Sequence, residues 1–173
     1  MTENTSEWYD WNIVNVHSRE LECTKEEAWE LIEQLGSTND ILWPNDSWPR
    51  FERDGEMKIG TKCGHGPIRY VVESYSPNEN VRFRFSNPKG FDGFHEFSIT
   101  QSENNLITLR HILKMTPKGS AKMSWPLCFR WLHDALIEDA LDNAIFHFDG
   151  TSNPSRQWPI HVNILRKLSG LFV

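Results

Sequence analysis

The chain has 173 residues, of which 38% are apolar and 24% charged, a composition typical of a folded protein with one substantial core. Its net charge of −6 argues against nucleic acid as the main partner, because binding to phosphate needs a basic surface. The N-terminus has neither a basic start nor an apolar run, and no stretch reaches the ~20 apolar residues that span a bilayer. We therefore expect a single domain that resides in the cytosol.

The three cysteines, Cys23, Cys63 and Cys128, are far apart and form no C-x-x-C pair. An odd, scattered set of this kind predicts neither a disulfide framework nor a zinc cage. Cys63 and His65 come nearest to a metal-binding pair, but no second pair of ligands completes the set. The sequence therefore predicts no metal and no cofactor.

The first regular elements are a strand and a capped helix. Alternating side chains over residues 12–22 indicate the strand. Thr24 and Glu27 then have the spacing of a capping box, in which each residue binds a free backbone N–H of the other. The apolar pattern of the helix continues to Leu35, and Gly36 is the residue expected to end it.

The middle of the chain has the pattern of an antiparallel sheet. Residues 37–49 are rich in turn formers, and Pro44 and Pro49 exclude a long helix there. From Phe51 to Met115 the apolar period is two, and short runs alternate with Gly, Pro and Asn turns. Strands are expected near residues 50–53, 57–63, 68–76, 80–86, 93–101 and 106–115. The tight turns between them predict a meander.

Residues 121–148 carry one long helical pattern, with Pro126 near its start, where a missing N–H matters least. A helical wheel places Asp134, Glu138 and Asp142 on one side and the apolar residues on the other. We expect the acidic side to be a solvated surface.

This order of elements resembles the helix-grip superfamily, which includes START domains, birch-pollen-allergen-like proteins and the polyketide cyclase/dehydrase family. The resemblance covers residues 12–148. It is carried by the first strand running into its helix (18–29), by a strand that ends in a proline turn before the next one (72–85), and by the long helix after Lys122. It implies an α+β fold in which a curved antiparallel sheet of six or seven strands wraps around the long helix and encloses a cavity.

The resemblance divides the chain into an N-terminal extension (1–11), a ligand-binding domain (12–148) and a C-terminal tail (149–173). The tail departs from the superfamily, in which the long helix is usually the last element. From Trp158 to Phe172 apolar residues recur every three or four positions, which indicates a short amphipathic segment.

A bent sheet covered by one helix leaves a concave apolar space, which is the usual form of a small-molecule site. The faces expected to point inward carry aromatic residues, histidines and one amide. The predicted ligand-binding residues are Trp43, Tyr70, Phe83, Phe85, His95, Phe97, His111, His133, Leu136 and Asn143. A buried polar group without a partner costs about 1–3 kcal/mol, so each of these histidines needs protein, water or ligand beside it. For any one of these histidines, hydrogen bonding to protein groups within the core is more frequent than contact with a ligand.

Three functions remain open at this point. The first is binding of a small hydrophobic or aromatic molecule, which the absence of nucleophile, phosphate-loop and paired-carboxylate motifs favours. The second is a cyclase- or dehydratase-like enzyme with His95, His111 and His133 as acid and base. The third is a chaperone-activator-like interaction module whose segment 158–172 docks on a partner or a membrane surface. That segment is expected more often to pack on its own domain or on a second copy, which leaves a homodimer open.

Overall fold

The computed structural model describes residues 12–102, 105–150 and 156–168. The strands are β1 (Ile13–Leu21), β2 (Glu52–Arg53), β3 (Lys62–His65), β4 (Ile68–Ser76), β5 (Asn80–Asn87), β6 (Phe91–Gln101) and β7 (Ile107–Pro117). The helices are α1 (Lys25–Glu33), α2 (Ala121–Ser124), α3 (Arg130–Asp149) and α4 (Ile160–Leu168). A π-helical turn, Trp125–Phe129, joins α2 to α3, so residues 121–149 form one continuous helix.

The seven strands form one antiparallel sheet in the order β1-β7-β6-β5-β4-β3-β2. Each strand from β2 to β7 pairs with its neighbour in sequence, and β1 joins at the far side of β7. The inward side chains of the sheet and of the long helix belong to one buried cluster. The predicted α+β helix-grip architecture is confirmed.

The capping box at the start of α1 forms as its sequence predicts. Thr24 Oγ1 accepts a hydrogen bond from the Glu27 backbone N–H at 3.2 Å, and the Glu27 carboxylate accepts from the Thr24 N–H at 2.8 Å. Gly36, which follows the helix, has a φ of +74°. Trp29 and Ile32 are buried on the inner side of α1, so the cap fixes the angle at which this helix meets the sheet.

One predicted strand is misplaced. The run near residues 57–63 is mostly a loop, and β3 begins only at Lys62. Gly55 and Gly60 have φ values of +87° and +89°, a left-handed conformation that interrupts an extended chain. The other strands lie within two residues of their predicted ends, apart from the weak run at 50–53, which keeps only two residues of strand in β2.

Pro126 lies inside the π-helical turn and not in the first turn of a regular helix. Its ring removes a backbone N–H, and the turn widens so that the N–H of Arg130 donates to the carbonyl of Trp125, five residues earlier. The long helix ends at Gly150, whose φ of +63° makes it a left-handed cap.

The acidic side of the long helix is only partly the solvated surface that the helical wheel suggests: the side chains of Glu138 and Asp142 are 42% exposed, but the side also faces β1. Asn15 donates to Asp134 at 2.9 Å, and Nδ1 of His17 lies 2.5 Å from Glu138. Arg19 also bonds to Glu138. Side chains on the inward side of the edge strand β1 therefore bind these carboxylates. A helical wheel shows the direction in which a side chain points, but it does not show which other element lies there.

The tail folds back on the long helix over its described residues. Val162 of α4 is 2% exposed, and Nε1 of Trp158 donates to Asp139 Oδ2 at 2.9 Å. The indole of Trp158 also meets that of Trp48 edge-on, with centroids 5.8 Å apart. Residues 169–172 of the predicted amphipathic segment, and the whole extension 1–11, lie outside the described residues. Among the residues described, no helix has both the length and the apolar character needed to cross a bilayer.

Candidate functional site

A cavity of about 70 Å³ lies between the sheet and the long helix. Seven of the ten residues predicted from the sequence line it: Trp43, Tyr70, Phe85, His95, His111, His133 and Leu136. The cavity wall is otherwise almost entirely aromatic and aliphatic. The residues that line it, within the described parts of the chain, include no aspartate, glutamate, lysine or arginine. The polar groups of this wall are therefore neutral: the histidine rings, the Tyr70 hydroxyl and the indole N–H groups of the tryptophans.

Three of the predicted residues lie elsewhere. Phe83 and Phe97 are fully buried in the core beneath the cavity and do not reach its surface. Asn143 is turned away from it, because its amide N–H₂ donates to the carbonyl of Leu42 at 3.2 Å and its oxygen accepts from Arg156 at 2.6 Å. This amide connects the loop after α1 and the tail to the long helix by hydrogen bonds, so its role in this structure is structural.

Other lining residues were not predicted. Trp125 and Phe129 reach the cavity from the π-helical turn, and His65 reaches it from the end of β3. The helical wheel places Phe129 on the apolar side of the long helix, although it was not among the predicted ligand-binding residues, and Trp125 gave no clear signal. His65 was considered in the sequence only as a partner of Cys63. Burial raises the pKa of that thiol to about 12, and its Sγ lies near a backbone carbonyl at 3.8 Å.

The pairing of β6 with β7 brings two histidines together. His95 lies opposite Leu113 and Phe97 opposite His111, so the two histidines are diagonal neighbours on the inner face. His111 Nε2 lies 3.2 Å from His95 Nδ1. The remaining nitrogens, His95 Nε2 and His111 Nδ1, are buried and have no hydrogen-bond partner within the described residues.

The environment keeps these two rings neutral. Burial, together with the nearby His133, holds the pKa of both His95 and His111 well below the usual value of a histidine. The His95 ring stacks on Phe83 at a centroid distance of 4.9 Å and meets the edge of Tyr70 at 4.4 Å. Surrounded by packed rings, it has little freedom to turn toward another partner.

A neutral imidazole has one N–H and one lone pair. Because one N–H is shared between His95 and His111, their two outer nitrogens must be one donor and one acceptor. The pair therefore offers a ligand both kinds of hydrogen bond, and the direction of the shared bond decides which ring offers which.

His133 approaches the same space from the helix. Its Nδ1 lies 3.4 Å from Asp134 Oδ1, and its ring centroid is 5.1 Å from that of His111. A carboxylate only accepts hydrogen bonds, so the proton of a neutral His133 is on Nδ1, and Nε2 keeps its lone pair. That Nε2 is buried and has no partner in the described structure. Burial lowers the pKa of His133, although Asp134 opposes the shift.

Burial would raise the pKa of Asp134, but its contacts with His133, His17 and Asn15 outweigh this effect and lower that pKa well below its usual range. Asp134 is thus a carboxylate that fixes the ring of His133. A carboxylate, an imidazole and an unoccupied lone pair in this order are the groups from which enzymes build a general base.

Comparison with known proteins shows the fold. Neither a model of a protein family nor a curated protein matches the sequence. Among solved structures, a protein of Nitrosospira multiformis superposes with a TM-score of 0.60 at 11% identity, over 84% of this chain and 100% of its own. CalU16 of Micromonospora echinospora does so with a TM-score of 0.58 at 13% identity, over 91% of this chain and 83% of its own.

DynU16, a putative protein in the dynemicin biosynthetic locus, superposes with a TM-score of 0.54 at 14% identity. The match covers 83% of this chain but 49% of DynU16, so the chain spans about half the length of that protein. At these identities the likeness is one of fold, and the chemistry of the site has to be argued from its own residues.

Proposed function

We propose that this protein binds a small aromatic molecule that carries a hydroxyl or carbonyl group in the cavity between sheet and helix. The observation that carries the proposal is the set of three buried ring nitrogens, on His95, His111 and His133, that lack partners among the described residues in a largely aromatic wall. Each such atom costs about 1–3 kcal/mol when unsatisfied. A ligand with a donor and an acceptor would satisfy the nitrogens, while its ring would pack on the aromatic wall.

The volume of the cavity limits the ligand. The space of about 70 Å³ is half of the ~150 Å³ that holds a benzene molecule in an engineered apolar cavity. A ring therefore enters only if a wall side chain moves outward. We assign that movement to the π-helical turn of Trp125 and Phe129, because its hydrogen bonding is less regular than that of the helix around it.

A second candidate function is acid–base catalysis on such a ligand, of the cyclase or dehydratase kind. His133, held by Asp134, supplies a lone pair at Nε2, and the His95–His111 pair supplies a donor and an acceptor. A proton taken at one group and returned at another is what such reactions require. The fold shared with DynU16, whose gene locus is biosynthetic, makes this alternative worth testing.

Binding can be tested with protein purified from its own host and analysed by native mass spectrometry. A panel of phenols, hydroxylated bicyclic aromatics and their non-hydroxylated analogues is then screened by thermal shift and by tryptophan fluorescence, since Trp43, Trp48 and Trp125 line the cavity. We expect hydroxylated rings to raise Tm and to change the fluorescence, and their non-polar analogues to do so less.

Two tryptophan substitutions on the long helix make a matched pair. Leu136→Trp fills the cavity and should abolish binding, whereas His147→Trp, at an exposed position of the same helix, should not. Equal binding by both variants, or no shift with any compound of the panel, would remove the proposal. Catalysis is then decided by turnover of the identified ligand, which His95→Gln, His111→Gln and His133→Gln should abolish if the second candidate is right.

A further inference from the structure

A second cluster of polar groups lies at the interface of β1 and α3, beside the cavity and on the other side of His133. It consists of His17, His133 and Asp134, with Glu138 next to His17. Nε2 of His17 and Nδ1 of His133 each lie 3.4 Å from Asp134 Oδ1. One ligand atom from each of the three residues lies within 4.8 Å of the other two.

We propose that His17 Nε2, His133 Nδ1 and Asp134 Oδ1 bind a divalent transition-metal ion, with zinc as the ion that suits them best. Two imidazoles and one carboxylate are a frequent ligand set for zinc. This site shares His133 with the cavity but uses its Nδ1, so binding of an ion and binding of a cavity ligand can be measured separately.

The two contacts to Asp134 Oδ1 are long for hydrogen bonds, and they also match the spacing of ligands around one metal ion. A good N–H···O bond measures about 2.7–3.2 Å, so 3.4 Å is long for both contacts to Asp134. Ligand atoms bound to one tetrahedral zinc at about 2.0–2.1 Å are about 3.3–3.4 Å apart. The two contacts to Asp134 therefore already have the spacing of a tetrahedral edge.

The groups around the three ligands orient them for an ion. Glu138 Oε1 lies 2.5 Å from His17 Nδ1 and accepts a hydrogen bond from the N–H at that nitrogen. The lone pair of the neutral ring is therefore on Nε2. This is the carboxylate–histidine–metal arrangement found behind most histidine ligands. Nε2 of His17 is buried and has no hydrogen-bond partner among the described residues, as expected of a ligand without its ion.

Neighbouring side chains also hold the carboxylates of Asp134 and Glu138 in place. Asn15 donates to Asp134 Oδ1 at 2.9 Å, Arg130 lies 3.7 Å from the second oxygen of Asp134, and Arg19 bonds to the second oxygen of Glu138. Asn15 therefore holds the proposed ligand oxygen of Asp134 in place, and Arg19 holds Glu138 with its other oxygen toward His17.

Three protein ligands leave the fourth position of a tetrahedral ion for water, which is the composition of catalytic rather than structural zinc sites. An ion on Nδ1 of His133 would also move the ring proton to Nε2. The nitrogen that faces the cavity would then change from an acceptor to a donor, so the ion would alter which ligands the cavity prefers.

The test uses the untagged full chain after treatment with a chelator. Cobalt(II) is titrated in and followed by its visible absorption, and zinc is measured by competition. We expect one ion per chain. His17→Gln and Asp134→Asn should weaken binding at least about tenfold, and Glu138→Gln about 10–100-fold, because outer-shell partners have effects of that size.

Two other histidine variants are matched controls. His147→Gln changes an exposed histidine of the same helix, and His95→Gln changes the cavity without touching the metal ligands; both should bind cobalt as the wild type does. Circular dichroism verifies the fold of every variant, and Asp134→Asn and Glu138→Gln stand in for His17→Gln should the latter not fold. The absence of saturable binding, or affinity unchanged by both carboxylate variants, overturns the proposal. Binding of aromatic ligands by the metal-free protein is a separate result, so either proposal can fail alone.

Discussion

His95 Nδ1 and His111 Nε2 face each other at 3.2 Å across neighbouring strands, at the bottom of the aromatic cavity. Both rings are almost fully shielded from solvent, with 4% and 1% of their surfaces exposed. One N–H lies between two nitrogens, so each ring satisfies the other on one side only. The contact joins the two strands locally and leaves one nitrogen of each ring without a partner among the described residues.

The first prediction is that the two histidines are energetically coupled. His95→Leu or His111→Leu alone should destabilise the protein by about 1–3 kcal/mol, because the remaining ring loses its partner while still buried. The double variant should lose clearly less than the sum of the two, since no orphaned nitrogen of the pair remains. Urea unfolding of the four proteins measures this coupling, and additivity within about 0.5 kcal/mol would contradict it.

The second prediction concerns pH. His95 is faced by His65, Tyr70 and His111, and its pKa is lowered by burial and by neighbouring histidines. Its folded pKa lies below the unfolded value of about 6.5, so between these two values the unfolded chain binds more protons. The contribution of His95 to stability is therefore complete above about pH 6.5 and is lost as the pH falls toward the folded pKa.

Unfolding free energies of the wild type and His95→Gln between pH 7.5 and 5 test this sign. The wild type should lose up to about 1.4 kcal/mol per pH unit more than the variant does below about pH 6.5. Parallel curves for the two proteins would show that His95 is not the neutral buried group that its surroundings indicate.

Local patterns predicted much of the fold. The alternation in β5 to β7 and the spacing of Thr24 and Glu27 are set by neighbours in sequence, so strands and cap follow from the residues themselves. The π-helical turn could not be predicted, because Pro126 is also compatible with the first turn of an ordinary helix.

The site was harder to predict than the fold, because its residues meet through tertiary structure and not through local sequence patterns. Phe83 and Phe97 are on the expected face, but whether a side chain reaches a cavity or fills the core beneath it depends on the curvature of the sheet. The contact between His17 and Asp134 joins residues 117 positions apart in the chain. The two residues meet only because β1 packs beside the long helix, and no residue spacing in the sequence indicates this contact.

The third prediction concerns Asp139, which holds the tail in place. This carboxylate is 7% exposed and accepts from the indoles of Trp48 at 2.6 Å and Trp158 at 2.9 Å. Asp139→Leu should destabilise the protein by about 3 kcal/mol, because two N–H groups lose a charged acceptor. Trp158→Phe removes one of these bonds and should have a smaller effect in urea unfolding.

Asp142→Leu is the control for Asp139, since it removes an acid from the same helix whose side chain is 42% exposed and 3.3 Å from Arg19. An exposed pair of this kind contributes about 0–1 kcal/mol. If Asp139→Leu and Asp142→Leu had equal effects, the anchoring of the tail through the two indoles would be disproved.

The fourth prediction separates the cavity from the core around it. Leu136 lines the cavity and is 4% exposed, while Leu141, five residues further along the long helix, is fully buried and does not line it. Leu136→Ala and Leu141→Ala should each destabilise the protein by about 2–5 kcal/mol, because both remove buried methyl groups.

Only Leu136→Ala enlarges the existing cavity, toward the ~150 Å³ that accommodates a benzene ring. Phenol at increasing concentration should therefore raise the Tm of Leu136→Ala, as binding to the folded state requires, and leave that of Leu141→Ala almost unchanged. Equal shifts in both variants would mean that phenol occupies any new void, and that the histidine-lined cavity has no preference for aromatic ligands.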